Sequence, residues 1–76
     1  MQVKVLFFGV LAEVTGTNLK HYNDVGSVTD VKSRIVDDYP EIAHYSYRTA
    51  INNILIDVAD LCDNDEIALM PPFAGG

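Results

Sequence analysis

Glu66-Ile67-Ala68-Leu69-Met70-Pro71-Pro72-Phe73-Ala74-Gly75-Gly76 is the stretch on which the reading of the whole chain turns. Residues 66–70 read as a strand, mostly apolar on both faces as a central strand covered by a helix would be. Two prolines then fix φ and remove two backbone donors, so ladder pairing stops after Met70. Beyond Phe73, the residues Ala74, Gly75 and Gly76 have almost no side chain to pack. Extended at roughly 3.3 Å per residue, segment 71–76 reaches about 20 Å, far enough to enter a narrow channel in another protein. The α-carboxylate of Gly76 is the group on that tail with chemistry to offer. The plain alternative is a frayed terminus, as at many domain ends. The order of strand, double proline, single aromatic and final Gly-Gly weighs against it.

A central strand needs neighbours, and the best candidate lies at the other end of the chain. Gln2-Val3-Lys4-Val5-Leu6-Phe7-Phe8 is rich in β formers. Alternation puts Val3, Val5 and Phe7 on one face and Lys4, Leu6 and Phe8 on the other, wetter one, so Phe8 is a candidate exposed aromatic. Residues 9–15 read as a short helical turn with Val10, Leu11 and Val14 on one side, closed by Gly16, which tolerates positive φ. Residues 17–22 alternate again and return antiparallel to the first strand. Ser27 is a helix cap that Asp30 can answer in a capping box. Val28, Val31, Ile35 and Tyr39 then recur at helical spacing, with Lys32, Arg34, Asp37 and Asp38 outside, until Pro40 ends the helix. Residues 41–48 read as a loop with a helical turn, and 50–56 as two short strands or one bent strand, with Asn52-Asn53 at a turn or bulge. Residues 60–65 carry turn chemistry. Two strongly hydrophobic strands, first and last, lie most simply side by side in parallel at the centre of a sheet. With one long helix packed diagonally over them, the expectation is an α+β fold, the β-grasp (ubiquitin-like) roll with a mixed sheet. Residues 1–70 form that domain and 71–76 a flexible Gly-Gly tail.

Composition narrows the function. At 76 residues, 49% hydrophobic, the chain is one domain with ample material for a core. Its formal charge of -6 and its five scattered Lys and Arg argue against nucleic acid, which needs clustered cations. An acidic surface suits a basic protein partner. The single cysteine permits no internal disulfide and fits a reducing compartment. The first apolar run, 5–14, is interrupted by Gly9 and Glu13 and is too short for a signal peptide or membrane span, so the expected location is the cytoplasm.

The inventory for catalysis by the chain alone is poor. Cys62 sits among Asp60, Asp63 and Asp65, the opposite of the electropositive setting a thiolate nucleophile uses, and reads as a packed or incidental residue. His21 and His44 lack neighbouring ligands at zinc spacing. Asp57, Asp60, Asp63, Asp65 and Glu66 lack the glycine and spacing of a calcium loop and read as a solvated turn, so no metal is expected. Phosphate-cradling glycines and a nucleophile-base pair are both missing from the sequence. The terminal carboxylate remains.

Val5-Leu6-Phe7-Phe8-Gly9, Ala12-Glu13-Val14-Thr15-Gly16, Ile51-Asn52-Asn53, Asp65-Glu66-Ile67-Ala68 and the ending Pro71-Pro72-Phe73-Ala74-Gly75-Gly76 together resemble the small subunit of molybdopterin synthase, a ubiquitin-like sulfur carrier. The likeness runs over the whole chain, and the Pro-Pro-x-x-Gly-Gly ending is its most specific part. One departure is Ala12, where the family often carries Arg to make a polar contact with its partner. The resemblance implies that an ATP-dependent adenylating and sulfurtransferring enzyme activates the Gly76 carboxylate as an acyl-adenylate and converts it to a thiocarboxylate. It implies further that a large catalytic subunit uses that sulfur to build the dithiolene of molybdopterin from cyclic pyranopterin monophosphate, within a heterotetramer. The chain would then be the non-catalytic, sulfur-donating subunit, with no bound cofactor of its own. Gly75 and Gly76, with Ala74, Phe73, Pro72 and Pro71, would thread a channel that a Cβ at either glycine would block.

The face from which the tail leaves is the expected docking face, with Phe8, Leu55 and Met70 as an apolar patch continuous with residues 71–73. Packing of these three in the core is the alternative. Three other functions share the same ending: the thiamine-pathway sulfur carrier, which typically lacks the Phe-Phe-Gly opening and the Ala-Glu-x-x-Gly turn, a protein modifier conjugated to lysines through Gly76, and an interaction domain with an inert terminus.

Overall fold

A computed structural model describes residues 2–55 and 60–71 of the chain. Five strands and two helices occur in the order β1 (Gln2–Phe7), α1 (Val10–Thr15), β2 (Leu19–Asn23), α2 (Val28–Asp38), a 3-10 turn (Pro40–His44), β3 (Arg48–Ile51), β4 (Ile54–Leu55) and β5 (Glu66–Met70). They form one sheet in the order β2-β1-β5-β3-β4. β1 and β5 are parallel at its centre, and every other pairing is antiparallel. The architecture is the β-grasp roll expected from the two hydrophobic end strands.

Alternation decides which face is covered. Val3, Val5 and Phe7 of β1 and Ile67 and Leu69 of β5 are buried against Val28, Val31 and Ile35 of α2, with Leu11 of α1 and Ile42 of the 3-10 turn closing the same core. Burying each such side chain contributes about 1.5–3 kcal/mol before the entropy of ordering it is counted. Tyr39, at the end of α2, meets Phe7 edge to face with ring centroids 6.0 Å apart. Below it, the Tyr22 hydroxyl donates a 2.7 Å hydrogen bond to Asp38. Burial and that carboxylate push the phenol well above its ordinary range.

The local signals act mostly as expected. Gly16 takes φ 76° at the end of α1 and its N–H reaches the Ala12 carbonyl. Ser27 caps α2 by accepting the Asp30 N–H. Asn52 and Asn53 both take positive φ, 49° and 73°, in the two-residue turn between β3 and β4, a conformation that suits a right-twisted hairpin.

Five expectations need correction. The Asp30 carboxylate accepts from the Gly26 N–H, at 3.1 Å, and not from Ser27. Val10 lies on the outer side of α1, 37% exposed, because this short helix turns only Leu11 fully inward. The second strand is shifted two residues at its start and one at its end: the Thr17 hydroxyl closes a local turn on the Leu19 backbone, and Asn18 meets β1 only through its carbonyl, which accepts the Phe7 N–H at 3.0 Å. β5 is buried on one face only: Ile67 and Leu69 are fully covered, whereas Ala68 and Met70 are half-buried. Cys62 is exposed, so of its two readings, packed or incidental, the packed one falls. The expectations for Ile56 and Asp57 fall outside the described residues. Among the described residues no helix is long and apolar enough to cross a membrane.

The turn before β5 is stitched to the sheet through its acids. Gln2 N–H donates to Asp63 Oδ1 at 2.8 Å, and Asn64 N–H donates to the Gln2 carbonyl at 2.7 Å. Asp65 accepts from the Cys62 N–H at 2.8 Å and from the Asn52 amide at 3.0 Å, while Asn52 Oδ1 accepts the Glu66 N–H. These hydrogen bonds to the charged form hold the Asp65 carboxyl below its ordinary value. They lock the start of β5 to the β3–β4 turn, and so fix the height at which β5 delivers Met70 and Pro71.

Candidate functional site

The uncovered face of the sheet carries a groove of about 440 Å³. Its floor is a row across four strands: Leu6 opposite Ala68, Ala68 opposite Ala50, and Ala50 opposite Leu55. The groove is concave for a reason of volume. Two alanines occupy the middle of the row, and larger side chains stand on both sides of it. Toward the tail, Met70 lies opposite Arg48, and Phe8 follows β1 with its N–H on the Leu69 carbonyl at 3.1 Å. At the other end Lys4 and Glu66 form a 3.4 Å ion pair between half-exposed side chains. The groove is thus apolar in the centre and charged at its ends.

Phe8, Leu55 and Met70, separated by many residues in sequence, line this single groove together. Phe8 is 46% exposed and Leu55 57%, which is outside the range of core side chains. Leu6, Ala50, Ala68 and the flanking Arg48 and Glu66 belong to the same surface. Alternation along the first strand already puts Leu6 on the face of Phe8; Ala50, Ala68, Arg48 and Glu66 are the residues that the sequence reading does not single out, although alternation from Met70 points to Ala68 and Glu66. Ala12, at the position of the family's Arg, is half-buried and packs against the core.

Pro71, the last described residue, is half-buried at the end of the same two strands. Gly9, which leaves β1 alongside it, has φ 58° and ψ -134°. A Cβ at Gly9 would stand 2.8 Å from Pro71 Cγ. Pro72, Phe73, Ala74, Gly75 and Gly76 lie outside the described residues. The route to the tail is therefore described up to its first residue. Among the described residues no three His, Cys, Asp or Glu side chains converge as a metal site.

The ThiS family profile matches residues 5–76. The molybdopterin synthase sulfur carrier subunit of Chlamydomonas reinhardtii is 31% identical over 83 aligned residues, which span all of this chain and all of that protein. The small archaeal modifier protein 1 of Methanosarcina acetivorans has the same fold with a TM-score of 0.86 and 28% identity, over 99% of this chain and 96% of that one. In the complex of subunits 1 and 2 of the molybdopterin-converting factor from Helicobacter pylori, a chain 26% identical superposes with a TM-score of 0.75 over the full length of both. By the profile and by the full-length relative alike, this chain belongs to the ThiS family and is a homologue of the molybdopterin synthase sulfur carrier subunit.

Proposed function

We propose that this protein is the sulfur carrier subunit of molybdopterin synthase, working through the carboxylate of Gly76. The observation that carries the reading is full-length similarity to a molybdopterin synthase sulfur carrier subunit in a chain that ends in Gly75-Gly76. A carboxylate is a poor electrophile. An activating enzyme therefore joins the Gly76 carboxylate to the α-phosphorus of ATP, releasing pyrophosphate and leaving a mixed anhydride with AMP. Sulfur at the hydrosulfide level, delivered by a donor, then attacks the acyl carbon, the acyl–phosphate bond breaks, AMP departs, and Gly76 ends as a thiocarboxylate. On a large catalytic subunit that sulfur bonds to a carbon of the pterin precursor, giving an acyl thioester, and water then cleaves the acyl carbon–sulfur bond, which restores the Gly76 carboxylate and leaves the sulfur on the precursor. A dithiolene holds two sulfurs, so two carriers are consumed in turn. The groove of Leu6, Phe8, Leu55 and Met70 is the docking surface for the large subunit. A second subunit in the Helicobacter pylori complex supports a partner of that kind. ATP is spent on the activating enzyme, and this chain binds no cofactor.

A second reading, a protein modifier conjugated to lysines through Gly76, is favoured by the similarity to the Methanosarcina acetivorans modifier. Intact mass separates the two after incubation with the activating enzyme, ATP and a sulfur source. An oxygen-to-sulfur exchange on the chain supports the carrier, adducts on lysines support the modifier, and an unchanged mass defeats both. Deletion of Gly76 is expected to abolish sulfur loading with an unchanged folded spectrum. Persistence of cofactor synthesis in the deletion variant would refute the carrier assignment.

A further inference from the structure

Gly9 and Pro71 meet where the chain leaves both central strands. β1 ends at Phe7 and β5 at Met70, and the Phe8 N–H on the Leu69 carbonyl is the last rung between them. Gly9 then turns away into α1 with φ 58° and ψ -134°, a combination that L side chains rarely adopt. The side of Gly9 that a Cβ would occupy is filled by the Pro71 ring, with Cγ 2.8 Å and Cδ 3.5 Å from that Cβ position. Real Cβ atoms do not approach a ring carbon at 2.8 Å, so one of the two would have to move. Two independent features, the backbone angle and the filled space, thus demand glycine at position 9. Pro71, with its own φ fixed, cannot bend away cheaply.

We propose that Gly9 is a positioning residue for sulfur loading and transfer: its bare Cα is the seat of the Pro71 ring and sets the direction in which the chain leaves the sheet. This rests on the carrier reading above. Gly9 touches no reacting atom and acts through Pro71. Proximity explains the size of the effect, since a misplacement of about 1 Å far from the reacting centre can cost about 100-fold in rate.

The test is a double-mutant cycle on the full chain with its activating enzyme and large subunit. Gly9→Ala, Pro71→Ala and the double variant are followed by the rate of sulfur loading from intact mass and by thermal unfolding. Gly9→Ala is expected to lower kcat/KM for loading by at least about tenfold when Pro71 is present, and by less than about twofold when position 71 is alanine. Equal losses in both backgrounds, or no loss in either, overturn the proposal. The φ strain of Gly9→Ala acts in both backgrounds and the clash only where Pro71 is present, so loading is compared per folded chain at a temperature below all four unfolding midpoints, where lost folding cannot mimic the cycle. Wild-type loading is the separate check on the carrier reading. If it fails, nuclear Overhauser contacts between the Gly9 Hα protons and the Pro71 ring still decide the seat, and their absence in the wild-type chain overturns it.

Discussion

Thr49 sits on β3 facing the core, 1% exposed, opposite Leu69. Its hydroxyl has no hydrogen-bond partner among the described residues. An unpaired buried hydroxyl costs free energy, and valine has the same shape and a higher strand preference. Thr49→Val is expected to stabilise the fold by about 1 kcal/mol, a rise of about 4–8 °C in Tm for a domain of this size. An unchanged or lower Tm in calorimetry would mean that the hydroxyl is satisfied. Asp65 gives a pH-dependent counterpart. Its carboxyl is held below the ordinary value by the Cys62 N–H and the Asn52 amide, so the stability it contributes is present above about pH 4 and is lost as pH falls through its folded value. Asp65→Asn turns one acceptor into a donor facing a donor. The variant is expected to be less stable than wild type at neutral pH, with the gap closing in acid; a gap constant with pH would dismiss the linkage. At this scale the sequence is readable where a residue acts on its own backbone, as Gly16, Ser27, Asn52 and Asn53 do. It is not readable for Asp30, whose carboxylate chose the Gly26 N–H over the neighbouring Ser27 N–H, or for Asp65, whose partners depend on where β3 and β4 turn.

The central strand pair carries both the core and the groove, and its two faces have different fates. Alternation along β1 was sufficient to assign Val3, Val5 and Phe7 inward and to leave Phe8 outside. β5 misled, because Ala68 and Met70 are apolar and look like covered residues, and composition alone cannot tell a covered apolar face from one kept for a partner. The pairing register resolves it: Ala68 stands between Leu6 and Ala50, so the uncovered face is a continuous apolar row and not a scatter of single side chains. Phe8→Ala and Met70→Ala are each expected to cost under about 1.5 kcal/mol in denaturant unfolding, well short of the roughly 3–5 kcal/mol of a core aromatic. Each is expected to weaken binding to the large synthase subunit by about tenfold or more in calorimetric titration. A stability loss of about 3 kcal/mol with unchanged affinity would return both to the core.

Across the whole molecule, eleven acids against five Lys and Arg leave a net charge of -6 on a body with a radius of gyration of 11.5 Å. Two of the lysines are further engaged, Lys4 with Glu66 and Lys20 with Asp38 at 3.9 Å. The acidic field therefore extends beyond the groove, while the groove floor itself is apolar. These two parts act on different rates. A field spread over the surface attracts a basic partner from a distance and raises the association rate, and it is screened once the Debye length, about 10 Å at 0.1 M salt, falls below the separation. Close apolar contacts in the groove govern dissociation and respond little to salt. Stopped-flow binding to the large subunit should accordingly show the association rate falling by about tenfold between about 0.02 and 0.5 M salt, with dissociation changing less than about twofold. Phe8→Ala should do the reverse, raising the dissociation rate and leaving the salt slope of association intact. If salt instead acted on dissociation, the Lys4, Arg48 and Glu66 charges at the ends of the groove would be making the close contacts, and the apolar row would be secondary.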